Sequence, residues 1–390
     1  MIFHSRSFFK IILIVMFLTP LTGMGIDIYV PSLPTLRSDF QVTHSLIKMT
    51  IVVYIIGGAI AQLFIGGLSD RIGRKNVLIT GLLSFSVFSY MAAYSSNLHW
   101  LMFYRFLQGL CVPVATIISR AIVSDVFKEV ELKKITAYLV ISWSAGPIVA
   151  PVIGGYLQTY FGWRSDFYFL GFYSFLLLLS VIKVLPETNA QIMRITYKQL
   201  FVQYLNIACN KKFIISSFSL AVLYSSIVIF NIAGPFLIQN DLSYKPNEYG
   251  HFGLLMGFAG LFGGMSNRYF ITKIDTRHLI IFGIILSLIT SIGTYVTALF
   301  GFFNIYTVLF PVFIILFAVG LIYPCNMAKC LELVPNFAGS ASAIIGMITL
   351  FGTSVISTGF TYLTNINLAS LALTYLMLSL LSLLLYCLCK

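Results

Sequence analysis

The chain alternates long apolar runs with short polar breaks. The runs have the length of membrane-crossing helices, which need about 20 mostly apolar residues each. Twelve runs qualify, at 9–30, 45–68, 76–94, 99–123, 135–157, 167–185, 212–235, 249–269, 278–299, 304–324, 337–361 and 366–388. The first follows Arg6 and Lys10, as the apolar stretch of a secretion signal does. No small-residue cleavage site comes after it, so it reads as an uncleaved span. The longest polar stretch, 186–211, separates six spans in 1–185 from six in 212–390. Within it, residues 197–205 mix Lys198 and Gln199 with Leu200, Phe201, Val202 and Leu205. That pattern fits either a short interfacial helix or a plain linker.

Composition agrees with a lipid solvent. Of 390 residues, 59% are hydrophobic and 9% charged, against roughly a quarter charged in soluble domains. An aromatic share of 15% excludes disorder. The net charge of +12 could suggest nucleic acid, but Lys and Arg form no stripe; they recur between the apolar runs. No nucleic-acid partner is expected, and the positive-inside rule accounts for the charge. One side collects the N-terminal tail, the loops near 71–75, 128–134, 183–212, 268–277 and 329, and Lys390, with 18 Lys and Arg. The other side has 4: Arg37, Lys48, Arg164 and Lys245. Arg105 and Arg120 stay inside span four. This asymmetry puts both termini in the cytoplasm and requires an even number of spans. The expected fold is an all-α membrane protein, with twelve transmembrane helices in two pseudo-symmetric six-helix bundles. The expected location is the bacterial cytoplasmic membrane. Cys111, Cys209, Cys325, Cys330, Cys387 and Cys389 show neither zinc spacing nor a disulfide framework, so free thiols are expected.

Two echoes relate the halves. Gly66-Gly67-Leu68-Ser69-Asp70-Arg71 ends span two and Gly263-Gly264-Met265-Ser266-Asn267-Arg268 ends span eight, 197 residues later. Asp27-Ile28-Tyr29-Val30-Pro31 closes span one and Asn231-Ile232-Ala233-Gly234-Pro235 closes span seven, 204 residues later. Parallel repeats of this kind are one transporter plan, with a substrate site at the midplane between them. Span eight also carries Gly250, Gly253, Gly257, Gly260 and Gly264 at helical spacing, and span five carries Gly146, Ala150 and Gly154. Small residues allow close helix approach. Static packing explains such stripes; so does a smooth contact between the two halves that permits rocking.

Charge inside a span needs an explanation, because a buried unpaired charge is costly. Asp27 is the one acid placed in the hydrocarbon, roughly 5 Å from the outer end of span one at 1.5 Å per residue. Arg105 lies roughly 9 Å from the outer end of span four, a depth compatible with contact. Burial favours the neutral acid and a nearby guanidinium the carboxylate, so a carboxyl balanced between them can load and unload a proton. The plainer reading is a permanently ionised helix end; neutral Asn231 at the equivalent position argues against a structural need for charge. Pro20, Gly23 and Gly25 loosen span one. Gln108, Val112, Ala115 and Ser119 continue the face of Arg105. Tyr54, Gln62, Gln108, Tyr224 and Asn231 are candidate cavity residues. Lys48 opens span two near the outer surface with no evident role.

Several motifs match a family. Gly66-Gly67-Leu68-Ser69-Asp70-Arg71-Ile72-Gly73-Arg74-Lys75 resembles the loop 2–3 signature of the major facilitator superfamily, and Arg105-Phe106-Leu107-Gln108-Gly109 its span-four signature. Gly146-Pro147-Ile148-Val149-Ala150-Pro151-Val152-Ile153-Gly154-Gly155 resembles the span-five motif of antiporters, and Leu185-Pro186-Glu187-Thr188 the close of span six. Asp27-Ile28-Tyr29-Val30-Pro31-Ser32-Leu33-Pro34, Phe161-Gly162-Trp163-Arg164 and Ala338-Gly339-Ser340-Ala341-Ser342-Ala343 are similar to the bicyclomycin-resistance type of drug–proton antiporters. The resemblance implies a latch. Asp70 would sit at the start of span eleven, where the helix dipole favours an acid, and Arg71 and Arg74 would pair with Asp125 or Glu129. It also gives Gly66 and Gly73 to the latch. Gly146, Pro147, Pro151, Gly154, Gly155, Gly253, Gly257 and Gly260 would form the moving interface.

The leading expectation is a proton-coupled exporter of drugs or other small amphipathic compounds, with Asp27 and Arg105 in proton coupling. It would act as a monomer, with no cofactor beyond the proton gradient. Its partners would be a small-molecule substrate, protons and the lipid bilayer. A narrow-specificity metabolite or siderophore transporter of the same fold is the alternative. A membrane-embedded enzyme is the contrasting class; His44, His99, His251 and His278 would be its candidates, yet no metal spacing or nucleophile–base pair joins them.

Overall fold

A computed structural model describes residues 5–189, 197–334, 338–362 and 367–389. Among the described residues, eleven helices are long and apolar enough to cross a membrane. Helices one to six are Phe8–Phe40, His44–Ile72, Arg74–Ala93, Leu98–Val126, Lys134–Phe161 and Arg164–Val184. Helix seven is Lys211–Asp241, and helices nine to twelve are Thr276–Leu299, Ile305–Glu332, Gly339–Thr361 and Leu368–Leu388. Helix eight, Pro246–Phe270, has the length at 25 residues, but its six glycines and polar ends make it less apolar. A shorter helix, Tyr197–Ala208, lies on the stretch between helices six and seven.

The packing pairs repeat between the halves. Helices one and five, two and four, and three and six pack together in the first half; seven and eleven, eight and ten, and nine and twelve do so in the second. Adding six to each number maps the first set onto the second. Helix five packs on eight, and two on eleven, across the halves.

Helix one differs from its expected 9–30. It continues to Phe40 through distinct pieces: Ser5–Leu18, Leu21–Asp27, a tight turn Val30–Ser32 and Leu33–Phe40. Pro31 and Pro34 do not end it because each occupies a first-turn position of a new piece, where a missing N–H costs nothing. Asp27 is therefore not near the Phe40 end of helix one. Thirteen residues separate it from Phe40, roughly 20 Å at helical rise.

The bundle has two ends. One, here the motif end, gathers Gly66–Arg74, the segment after helix six and helix Tyr197–Ala208. The Tyr204 hydroxyl donates to the Leu63 carbonyl at 2.9 Å, and Ser340 Oγ donates to Gln203 at 3.3 Å, so this helix touches both halves. Burial and the nearby Asp70 carboxylate push the Tyr204 phenol above its ordinary value. The opposite, far end is pinned by Trp163 Nε1 donating to Asp39 at 2.8 Å and by Gln239 donating to the Pro31 carbonyl at 2.9 Å.

Candidate functional site

The break in helix one places Asp27 at the C-terminus of a seven-residue piece, in the interior of the bundle. Its side chain is buried. Asn231 Nδ2, from helix seven, donates to Asp27 Oδ1 at 2.7 Å. The two echoed positions thus meet across the halves. Tyr54, Tyr224 and Tyr249, from helices two, seven and eight, lie near Asp27. Tyr249 was not singled out from the sequence; a tyrosine near a predicted helix end carries no signal that it turns inward.

Arg105 is fully buried, but no ion pair joins it to Asp27. Its Nη1 donates to the Gly25 carbonyl at 2.8 Å and to Gln108 Oε1 at 3.1 Å. Its guanidinium lies over the Tyr54 and Tyr29 rings, with centroids at 4.1 and 4.6 Å. Helix one loosens before Asp27, so a backbone carbonyl, Gln108 and two ring faces meet the cation in place of a carboxylate, while its Nε and Nη2 have no hydrogen-bond partner. Arg105 holds the piece that carries Asp27; it does not neutralise it. Gln108 passes the contact on, donating to Ser89 Oγ at 2.7 Å, and is fully buried in that network instead of lining a cavity. The Tyr54 hydroxyl lies against Gly25 and has no hydrogen-bond partner. Tyr224 and Asn231 are half-buried beside Asp27, whereas Gln62 lies nearer the motif end against Gly346 of helix eleven.

Asp27 is not the sole buried acid. Asp166 is fully buried on the first turn of helix six. Ser32 Oγ donates to it at 2.5 Å. It went unrecognised because the extension of helix one, which covers it, is invisible in hydropathy.

The span-five motif has two faces. Gly146 and Gly154 allow the carbonyls of Pro20 and Ile28 on helix one to approach, and Pro147 packs on Gly23. Pro151 and Gly155 face the other half: a Cβ on Gly155 would stand 2.5 Å from the Pro246 carbonyl, and one on Gly250 would stand 2.6 Å from that of Pro151. Gly253 and Gly257 continue the contact onto Pro151 and Ile148. Gly260 leaves this stripe; its carbonyl is approached by Gly320 of helix ten, within the second half. Helix five thus lies between the piece bearing Asp27 and the opposite half.

At the motif end Arg74 pairs with Asp70 and, at 3.2 Å, with Asp125. Gly66 has nothing within 4 Å of where its Cβ would be, and Arg71 is exposed. Gly73 has φ +97°, and Glu187 folds over it to accept the backbone N–H groups of Arg74 and Lys75 at 2.9 and 3.1 Å. The Leu-Pro-Glu-Thr segment therefore caps helix three, where the unpaired N–H groups and the dipole favour an acid. Asp70 pairs with Arg74, while Ser340, which with Gly339 was the expected dock at the start of helix eleven, donates to Gln203 at 3.3 Å.

Known proteins agree with this architecture. The family model described as Major Facilitator Superfamily matches residues 15–357. The bicyclomycin resistance protein homolog of Haemophilus influenzae is 25% identical over 88% of this chain and 87% of its own length. Multidrug resistance protein D of Escherichia coli is 25% identical over 89% and 87%, and an uncharacterized transporter of Rickettsia bellii 28% over 93% and 91%. A solved D-xylose–proton symporter superposes with a TM-score of 0.78 over 96% of this chain and 97% of its own, at 16% identity. The chain belongs to the major facilitator superfamily and is a transporter, not an enzyme.

Proposed function

We propose that this transporter is a proton-coupled exporter of drugs or other small amphipathic compounds, working by alternating access as a monomer in the bacterial cytoplasmic membrane. It has twelve spans; both termini and the motif end face the cytoplasm, and the far end faces outward. No cofactor is needed beyond the proton gradient. Relatives named for bicyclomycin and multidrug resistance support this substrate class.

The observation that carries the reading is the bond between buried Asp27 and Asn231 across the halves. A charged acceptor makes that bond strong. Protonation from outside removes the charge, weakens the tie and frees the halves to rearrange; release of the proton to the cytoplasm restores it. Substrate entering beside Tyr54, Tyr224 and Tyr249 competes for the same space, so proton and substrate alternate. Helix five, between Asp27's piece and helix eight, passes the change to the moving interface.

The test uses proteoliposomes with an imposed pH gradient and a panel of unrelated dyes and antibiotics. Asp27→Asn should lose gradient-driven transport while keeping the wild-type unfolding temperature. Undiminished transport by that variant would refute the coupling role. Movement of a single metabolite or siderophore, and none of the panel, would favour the narrow-specificity reading.

A further inference from the structure

The far end holds a cluster of bases that the coupling site does not use. Lys48, on the second turn of helix two, is fully buried, and its ammonium has no hydrogen-bond partner. Phe236 and Phe360, from helices seven and eleven, cover it with ring centroids at 6.0 and 5.9 Å. That is the outer limit of a cation–π contact, so the rings enclose the ammonium and leave its donors unmet. One helical turn earlier, His44 sets its ring edge against the same Phe236, at 4.8 Å between centroids. Its Nδ1 is also buried without a partner. Arg37 comes from the last piece of helix one, which packs on helix two. Its Nε is the third buried, unpartnered nitrogen of the group. Arg37 and Lys48 both lie near His44. Among the described residues, no carboxylate lies within ion-pair distance of any of the three. Asp39, two residues beyond Arg37, is engaged by Trp163.

Basic groups that converge without an acceptor match the chemistry of an anion, which would bind by charge-assisted hydrogen bonds. We propose that Arg37, His44 and Lys48 form a binding site for a small monovalent anion, a halide or a carboxylate, closed over by Phe236 and Phe360. The bases belong to the first half and the covering rings to the second. The anion is therefore held fully only when the far end is shut, and its binding favours that state, since a ligand shifts a protein toward the conformation it binds best. The site stands apart from proton coupling at Asp27, and its test requires no transport.

Purified protein in nanodiscs is titrated with sodium chloride and, separately, with sodium acetate. A bulky sulfonate salt holds ionic strength constant, and thermal unfolding is followed by tryptophan fluorescence. The expected result is a saturable rise in unfolding temperature with at least one anion. Chloride alone assigns an inorganic ion; acetate alone assigns the carboxylate of an organic ligand. Lys48→Met and Arg37→Gln should each raise the half-saturating concentration about tenfold, as when one partner of a buried charge contact is removed. Arg164→Gln, at an exposed residue stacked on Trp163, should leave it unchanged. Arg37 is half-buried, so its variant decides the matter if Lys48→Met does not fold. No saturable rise with either anion, or unaltered half-saturation in Arg37→Gln, overturns the proposal.

Discussion

The contact between helices five and eight allows a quantitative test of which glycines separate the halves. A Cβ added at Gly250 would stand 2.6 Å from the Pro151 carbonyl, and ordinary contact begins at 3.4 Å. Gly250→Ala therefore requires the helices to part by about 0.8 Å (3.4 minus 2.6). The neighbour is backbone and cannot rotate away. Overpacking of this kind costs about 1–3 kcal/mol. Alanine's helix propensity raises the stability of helix eight equally whether the far end is shut or open, so it cancels between them. The whole overlap then acts against the shut state and shifts the equilibrium roughly 5- to 150-fold. Gly260→Ala is the internal control, because a Cβ there meets nothing within 4 Å. The readout is a cysteine at Thr361, in a background without the six native cysteines. Thr361 is buried and its hydroxyl donates to Met49 Sδ of the other half, at 3.6 Å, so alkylation by a maleimide reports opening of the far end. Gly250→Ala should speed labelling by the stated factor, and Gly260→Ala should leave it at the background rate. Equal rates in the two variants would refute the assignment of Gly250 to the moving interface.

Two further outcomes follow from contacts at the other sites. Arg105→Lys should abolish transport and lower the unfolding temperature. A lysine cannot bond the Gly25 carbonyl and Gln108 while lying over two rings, and its more strongly hydrated ammonium costs at least as much to bury; transport at the wild-type rate would sink the positioning role. Glu187→Gln should lower stability by about 1 kcal/mol, the usual value of a lost helix cap. Thermal unfolding of the variant checks it, and an unchanged transition would show that the cap on helix three is immaterial.

The sequence alone settled whatever depends on solvent preference. Apolar run lengths located eleven helices apolar enough to cross a membrane, because lipid selects for them directly; the eighth expected run is a helix of that length but less apolar. The superfamily was legible in loop 2–3 and helix five, where exact residues are needed to bring backbones together. The Asp27 and Asn231 echo was legible too, since its offset near half the chain pairs equivalent places. Tertiary structure decided how those places are used. Hydropathy could not show that Pro31 begins a new helical piece, so it misjudged the depth of Asp27 and gave no sign that Asp166 is buried. Charge complementarity suggested Arg105 for Asp27. The loosened backbone at Gly25 instead offered the guanidinium a carbonyl, and Asp27 was left to Asn231. Helical spacing put Gly260 on one stripe with Gly250, yet helix eight passes from one neighbour to another along its length, so the two glycines face different halves. Lys48 had no evident role as the opening of a span; two phenylalanines from distant segments help to bury it. The reason is common to all of these cases. One-dimensional patterns record what each residue requires of its solvent, and the partner that meets a buried charge is chosen by three-dimensional packing.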